Sequence, residues 1–203
     1  TVIEKRNQLI PSLDYEMATH VHRHLRDQDI GLYLGDGVTS FEEQGHHIVV
    51  KTENGMRIET HMVLLAIGVK PEKELARKTG LAIGERGGIV VDQTLRTSDP
   101  NIYAIGDAVE VNDRVCGQKR LLALAGPANK QGRMAADNIM GRKSLFKGVL
   151  GTNITRVFTV AAASTGDTEA LLGQHNIPYL TSFTHSFHHV SYYPGARPMA
   201  VKI

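Results

Sequence analysis

Residues 97–107 read TSDPNIYAIGD, and the rest of the chain is organised around this stretch. Pro100 and Asn101 make a turn, residues 102–105 are a short apolar run with β-branched and aromatic members, and Gly106-Asp107 stops it abruptly. The pattern predicts a strand that ends in a carboxylate. Gly106 lets a ligand come close to the backbone, and Asp107 offers acceptor oxygens to a polyol, as an acidic residue at a strand end does for ribose in dinucleotide folds. A Gly-Asp pair also serves as an ordinary turn. The dipeptide alone leaves both readings open.

Three further stretches bear on the choice: VLLAIGVKPE at 63–72, LAGPANKQGRMAADNI at 124–139 and SYYPGA at 191–196. Together with 97–107, in this order, they resemble the pyridine nucleotide-disulfide oxidoreductases. The resemblance is to the branch holding the coenzyme A-disulfide reductases, the persulfide reductases, and the NADH oxidases and peroxidases. It implies an α/β fold: partial Rossmann-like nucleotide-binding domains followed by part of an α+β dimerisation domain. It assigns residues 1–68 to the C-terminal part of the NAD(P)H-binding domain, 69–146 to the returning part of the FAD-binding domain, and 147–203 to the first part of the dimerisation domain. In that family the residue matching Asp107 holds the ribityl chain of FAD.

The 203 residues are 41% hydrophobic and 22% charged, enough for a sizeable core. Lysine and arginine number 23 against 21 acidic residues, a net charge of +2 that is too balanced to suggest a nucleic-acid or membrane surface. One cysteine, Cys116, excludes an internal disulfide. No signal peptide or long apolar run is visible, so a cytoplasmic setting is expected. The chain opens on strand-like Thr1-Val2-Ile3-Glu4 and closes in the alternation Met199-Ala200-Val201-Lys202-Ile203, which suggests an internal fragment. On the resemblance, the first flavin-phosphate glycine loop, the redox cysteine and most of the dinucleotide glycine loop would lie upstream.

From the start, residues 1–4 read as a strand ending in an acid. Glu4 resembles the Rossmann acid that binds the adenosine ribose hydroxyls, which favours NADH; Lys5 and Arg6 leave NADPH possible. Residues 14–29 predict an amphipathic helix with Leu13 and Asp14 as staple and cap, Met17, Val21 and Leu25 on its apolar face, and Gly31 as its stop. His20 and His24 fall on the polar face without a third ligand. Strand patterns at 32–34, 37–44, 48–52 and 56–59, with turns at Gly45-His46 and Glu53-Asn54-Gly55, predict a β-meander. Residues 61–68 (HMVLLAIG) have the continuous apolar core of a central parallel strand covered on both faces. Ala66 and Gly68 resemble the family's small-residue turn, where the dinucleotide approaches. A short helix at 72–79 and a strand at 89–91 follow.

Residues 121–141 predict a helix with Pro127 in its first turn. The N–H groups of Gly126, Ala128 and Asn129 are expected to be open and, with the helix dipole, to attract an anion. In the family this helix start faces the pyrimidine edge of the flavin. Asn129 and Arg133 are candidates for binding coenzyme A phosphates. Beyond 147, strands are expected at 154–157, 161–166, 180–184 and 199–203, and a helix at 168–175. His185, His188 and His189 lack acidic or thiol companions, so no metal site is expected. The resemblance makes Tyr192 and Tyr193 catalytic candidates, since in coenzyme A-disulfide reductases such a tyrosine crosses the dimer interface to the partner's redox cysteine. Packing in a turn is the plainer reading of the pair.

The implied function is an FAD-dependent oxidoreductase. It passes electrons from NAD(P)H through flavin and a cysteine absent from this chain to coenzyme A disulfide or persulfide, as a homodimer. An NADH oxidase or peroxidase that reduces oxygen or peroxide is the nearest alternative, and a non-catalytic structural or dimerisation fragment the alternative from another class. Taken alone, the 203 residues are expected to be inactive.

Overall fold

Val2–Glu4 (β1) runs parallel to Leu32–Leu34 (β2), Val2 opposite Leu32 and Glu4 opposite Leu34. Parallel neighbours need a crossover. The helix Tyr15–Asp27 (α1) supplies it. The computed structural model describes all 203 residues, as two units. The first comprises Thr1–Leu64, Thr155–Ala162 and Thr168–Ile203; the second comprises Leu65–Ile154 and Ala163–Asp167.

In the first unit, α1 buries Ala18, Val21, His22 and Leu25, a stripe one face wide. Val21 and Leu25 lie where the periodicity puts them, but Met17 is only half-buried, because Ala18 and His22 hold the centre of the stripe. His22 Nε2 accepts the Leu9 N–H at 3.0 Å, which fixes the incoming loop to the helix. Burial, with the Arg26 charge adding to it, pushes the His22 pKa down and keeps the ring neutral. Asp14 stands at the N-cap without capping: its Oδ1 accepts the Glu169 N–H at 2.9 Å and its Oδ2 pairs with Lys202 Nζ at 2.9 Å. The expected stop at Gly31 is corrected. The helix ends at Asp27, and Asp29 makes the left-handed turn at φ 55°, while the Gly31 carbonyl accepts the Val2 N–H of the sheet.

Three of the four strands read as a meander form one, Val38–Gln44 (β3), His47–Thr52 (β4) and Arg57–Thr60 (β5) in antiparallel order, whereas 32–34 is β2 and pairs in parallel with β1 instead. The central strand expected at 61–68 does not form. No strand pairs with it, and Leu64 and Ile67 are 86% and 87% exposed. Apolar composition records what a segment prefers to touch, whereas a buried parallel strand also needs neighbours and two covering layers.

The second unit holds the short helix Glu74–Lys78 (α2), a sheet of Ile89–Val90 (β6), Val109–Asn112 (β7) and Lys119–Arg120 (β8), and the helix Ala125–Ile139 (α3). Its core gathers Val91, Leu95, Val109, Val111, Ala135, Phe146 and Val149. Each valine and leucine among them stabilises by about 1.5–3 kcal/mol through burial. Glu110 is buried too, its Oε1 accepting the N–H groups of Arg86 at 2.7 Å and Gly88 at 3.3 Å. A Cβ at Gly84 would lie 2.1 Å from Glu110 Oε2, so any side chain there would displace the buried carboxylate.

Residues 102–105 stay extended but join no strand; Tyr103 makes one bridge to Arg96, and the expectation of a strand is corrected to that. The loop from Leu95 satisfies their backbone instead, through Thr97 N–H to Ile102 O at 2.9 Å and Ala104 N–H to Leu95 O at 3.1 Å.

The remaining elements are Asn153–Val157 (β9), Val160–Ser164 (β10), Glu169–Gln174 (α4), Phe183–Phe187 (β11) and Pro198–Lys202 (β12). β9 pairs with β10, and β11 is antiparallel to β12. The strand expected at 180–184 begins only at Phe183, leaving Leu180 exposed. No helix is long and apolar enough to cross a membrane.

Candidate functional site

The site is built from the start of α3 and the loop that ends in Asp107. Leu124 is the N-cap, in extended conformation, so α3 begins two residues before Pro127. This shift decides which donors are open. The Ala128 N–H already reaches the Leu124 carbonyl at 3.3 Å, and Asn129 is inside the helix, its Nδ2 donating to the Ala125 carbonyl at 2.9 Å. The expected open donors at Ala128 and Asn129 are therefore corrected: Ala125 and Gly126 carry the free N–H groups, Pro127 having none.

Gly106 takes φ 79°, a conformation natural to glycine, and turns the chain into the 3₁₀ segment Gly106–Ala108. Its N–H donates to Gln131 Oε1 at 2.6 Å. Gln131 is fully buried on the face of α3 that also carries Ala128 and Ala135, and it ties the Asp107 loop to the helix. The sequence reading missed it; one amide among small residues on a helix face was the available signal.

These elements enclose an open groove of about 680 Å³, lined among others by Asp107, Ala125, Ala128, Asn129, Gly132 and Arg133. One wall is helix backbone covered only by small side chains. Asp107 is exposed beside it as an acceptor, and Asn129 and Arg133 stand one and two turns into the helix as donors. The set suits an elongated ligand with a flat polar ring, a polyol and negative charge. FAD is such a molecule, so the residues present fit it.

The other candidate residues are not among those that line the groove. Ala66 and Gly68 are exposed on the uncovered 61–69 segment, Gly68 at φ 90° with open space around it. In the first unit Glu4 ends β1, and its Oε1 accepts the Arg6 N–H at 2.8 Å while Lys5 is drawn to Glu53, also at 2.8 Å. Tyr192 and Tyr193 occupy the connection between β11 and β12. Their rings lie 5.1 Å apart, Tyr193 rests edge-on against His189, and Tyr192 is 81% exposed.

Cys116 sits in the turn after β7, where Asp113 Oδ1 accepts the N–H groups of Val115 at 2.7 Å and of Cys116 itself at 3.2 Å. Burial, and then the charges of Asp113 and Asp167, push the Cys116 thiol up. A redox nucleophile needs the opposite shift.

Residues 1–132 match the family profile described as pyridine nucleotide-disulphide oxidoreductase. The chain belongs to that family. A pyridine nucleotide-disulphide oxidoreductase depends on FAD and NAD(P)H, and the present member has several near relatives. It is 48% identical to the reduced CoADR-RHD of Bacillus anthracis, with a TM-score of 0.94 over 98% of this chain and 36% of that one. Against the NAD-dependent persulfide reductase of A. fulgidus it is 39% identical, with a TM-score of 0.95 over 99% and 37%. The NAD(P)H sulfur oxidoreductase (CoA-dependent) of Pyrococcus abyssi is 35% identical over 191 residues, 94% of this chain. The chain spans 42% of that relative's length.

Proposed function

We propose that the whole protein is an NAD(P)H- and FAD-dependent reductase of coenzyme A disulfide or persulfide, and that the α3 groove is its flavin-facing surface. The observation that carries this reading is that Asp107 and Ala125, the first residue of α3, line one groove. FAD bound there supplies two-electron transfer from the nicotinamide to a sulfur acceptor. Asp107 accepts hydrogen bonds from the polyol chain and fixes its position along the groove. The fixed positive dipoles of the helix start would favour the negative charge of a reduced flavin held there, and the small side chains of Ala125, Ala128 and Gly132 would leave room for a flat ring against the helix. The amide of Asn129 and the guanidinium of Arg133 on the groove lining support a role in holding coenzyme A phosphates.

Glu4, at the C-terminal edge of a parallel strand, supports a dinucleotide ribose contact and NADH as the donor. The exposure of Tyr192 on its hairpin supports a role as the acid for a sulfur leaving group across a homodimer. The thiol that receives the electrons is a cysteine outside this chain, since Cys116 is held as a poor thiolate. A cytoplasmic setting follows from the need to keep that thiol reduced.

Anaerobic NADH consumption with coenzyme A disulfide tests the reading, and release of coenzyme A thiol is expected. Turnover only when oxygen is supplied would overturn it in favour of an oxidase. Asp107→Ala is expected to weaken FAD binding by about 1.5–3 kcal/mol, the worth of a hydrogen bond to a charged group, measured by flavin fluorescence on dilution. Tyr192→Phe is expected to lower kcat about 10²-fold if the hydroxyl transfers a proton.

A further inference from the structure

The second unit holds a buried polar cluster that the groove does not use. Asp113 and Asp167 are each 1% exposed, and both share one cation: Arg120 Nη1 pairs with Asp113 Oδ2 and lies 3.2 Å from Asp167 Oδ1. Three of the four carboxylate oxygens are thereby occupied, Asp113 Oδ1 by the two backbone N–H groups of its own turn. The fourth, Asp167 Oδ2, is fully buried with no hydrogen-bond partner. A buried carboxylate oxygen without a partner is costly, and two carboxylates facing one guanidinium leave a negative charge uncompensated. Cys116 Sγ and one oxygen from each carboxylate lie within 4.8 Å of one another.

We propose that Asp113, Cys116 and Asp167 form a binding site for a zinc-like divalent cation. Asp113 and Cys116 come from one tight turn and Asp167 from the segment after β10, so the ion ties a local pair to a remote ligand. The Cys116 thiol gives its proton to solvent, its sulfur bonds the metal as thiolate, and nothing is oxidised or reduced. With the ion, the thiolate, the two carboxylates and Arg120 the set is neutral. One thiolate and two oxygens select a borderline metal over magnesium or calcium, and a water completes the tetrahedron, with bonds of roughly 2.0–2.3 Å.

The probe is Co²⁺ added to the protein under anaerobic, thiol-free conditions, followed by displacement with Zn²⁺. One equivalent is expected to give a thiolate-to-cobalt charge-transfer band that Zn²⁺ abolishes, and Zn²⁺ alone is expected to raise the Tm. Cys116→Ser is expected to remove the band, and Asp167→Asn to weaken binding at least tenfold, while both keep the circular dichroism of the unsubstituted protein. Absence of the band at an excess of Co²⁺, or a band and affinity unchanged by both substitutions, would overturn the site.

Discussion

Two charged clusters, one in each unit, solve a similar problem differently. In the first unit Lys202, 6% exposed, is met by three carboxylates: Asp14 and Glu169 at 2.9 Å and Glu16 at closer range, with the Phe183 ring 5.3 Å from the ammonium. In the second unit Arg120 is met by two. The first cluster has more excess acid yet no orphaned oxygen, because Glu16 and Glu169 are 45% and 36% exposed and water serves their free oxygens. Asp113 and Asp167 have no such outlet. What matters is whether the acids reach solvent, since the cost of unbalanced charge is a desolvation cost.

The largest expected effect comes from deleting the shared cation of the closed cluster. Arg120→Met leaves two buried carboxylates facing each other and is expected to cost about 3–5 kcal/mol in urea unfolding at neutral pH, with partial recovery in acid. A smaller loss would mean that water already reaches Asp167. Lys202→Met in the open cluster should cost less, about 1–2 kcal/mol, because its acids can rehydrate. Equal losses in the two variants would break the comparison.

The smallest and sharpest difference is in the sign of the pH dependence. The hydrogen bond from Lys202 lowers the Glu16 carboxyl, so its contribution is complete above the ordinary 4.5 and is lost as pH falls through the depressed value. Burial and Asp113 raise the Asp167 carboxyl, so its contribution is complete below the ordinary 3.8 and is lost as pH rises through the raised value. Asp167→Asn is therefore expected to gain on the unsubstituted metal-free protein as pH rises and to show no gain below 3.8. His22 adds a third sign check: its pKa is lowered by burial, so its share is complete above 6.5 and is lost as pH falls from there, a slope that His22→Gln should remove.

Much of this was legible beforehand. The α/β class and the grouping of Asp107 with the start of α3 were what the family resemblance implied, whereas α1, α3 and the strands of the β3–β5 meander follow from periodicity, turn residues and a helix that begins near its proline. Those signals are local, written in the dihedral preferences and spacing of neighbouring residues. The rest depends on partners far away in sequence. Asp14 looks like a cap until Lys202 and the Glu169 N–H arrive to take its oxygens. Residues 61–68 look like a central strand until the sheet that would flank them is sought and none is present.

Cys116 illustrates the division most directly. Its turn is closed locally, by Asp113 Oδ1 accepting the N–H groups of Val115 and Cys116. That it lies against two buried carboxylates, one supplied from position 167, follows from the return of the chain after β10. The sequence by itself determined the local elements and the order of the motifs, because backbone geometry and hydrophobic period act over a few residues. Only the tertiary structure decided which charges lost their water and which found partners, because desolvation depends on everything packed around a group.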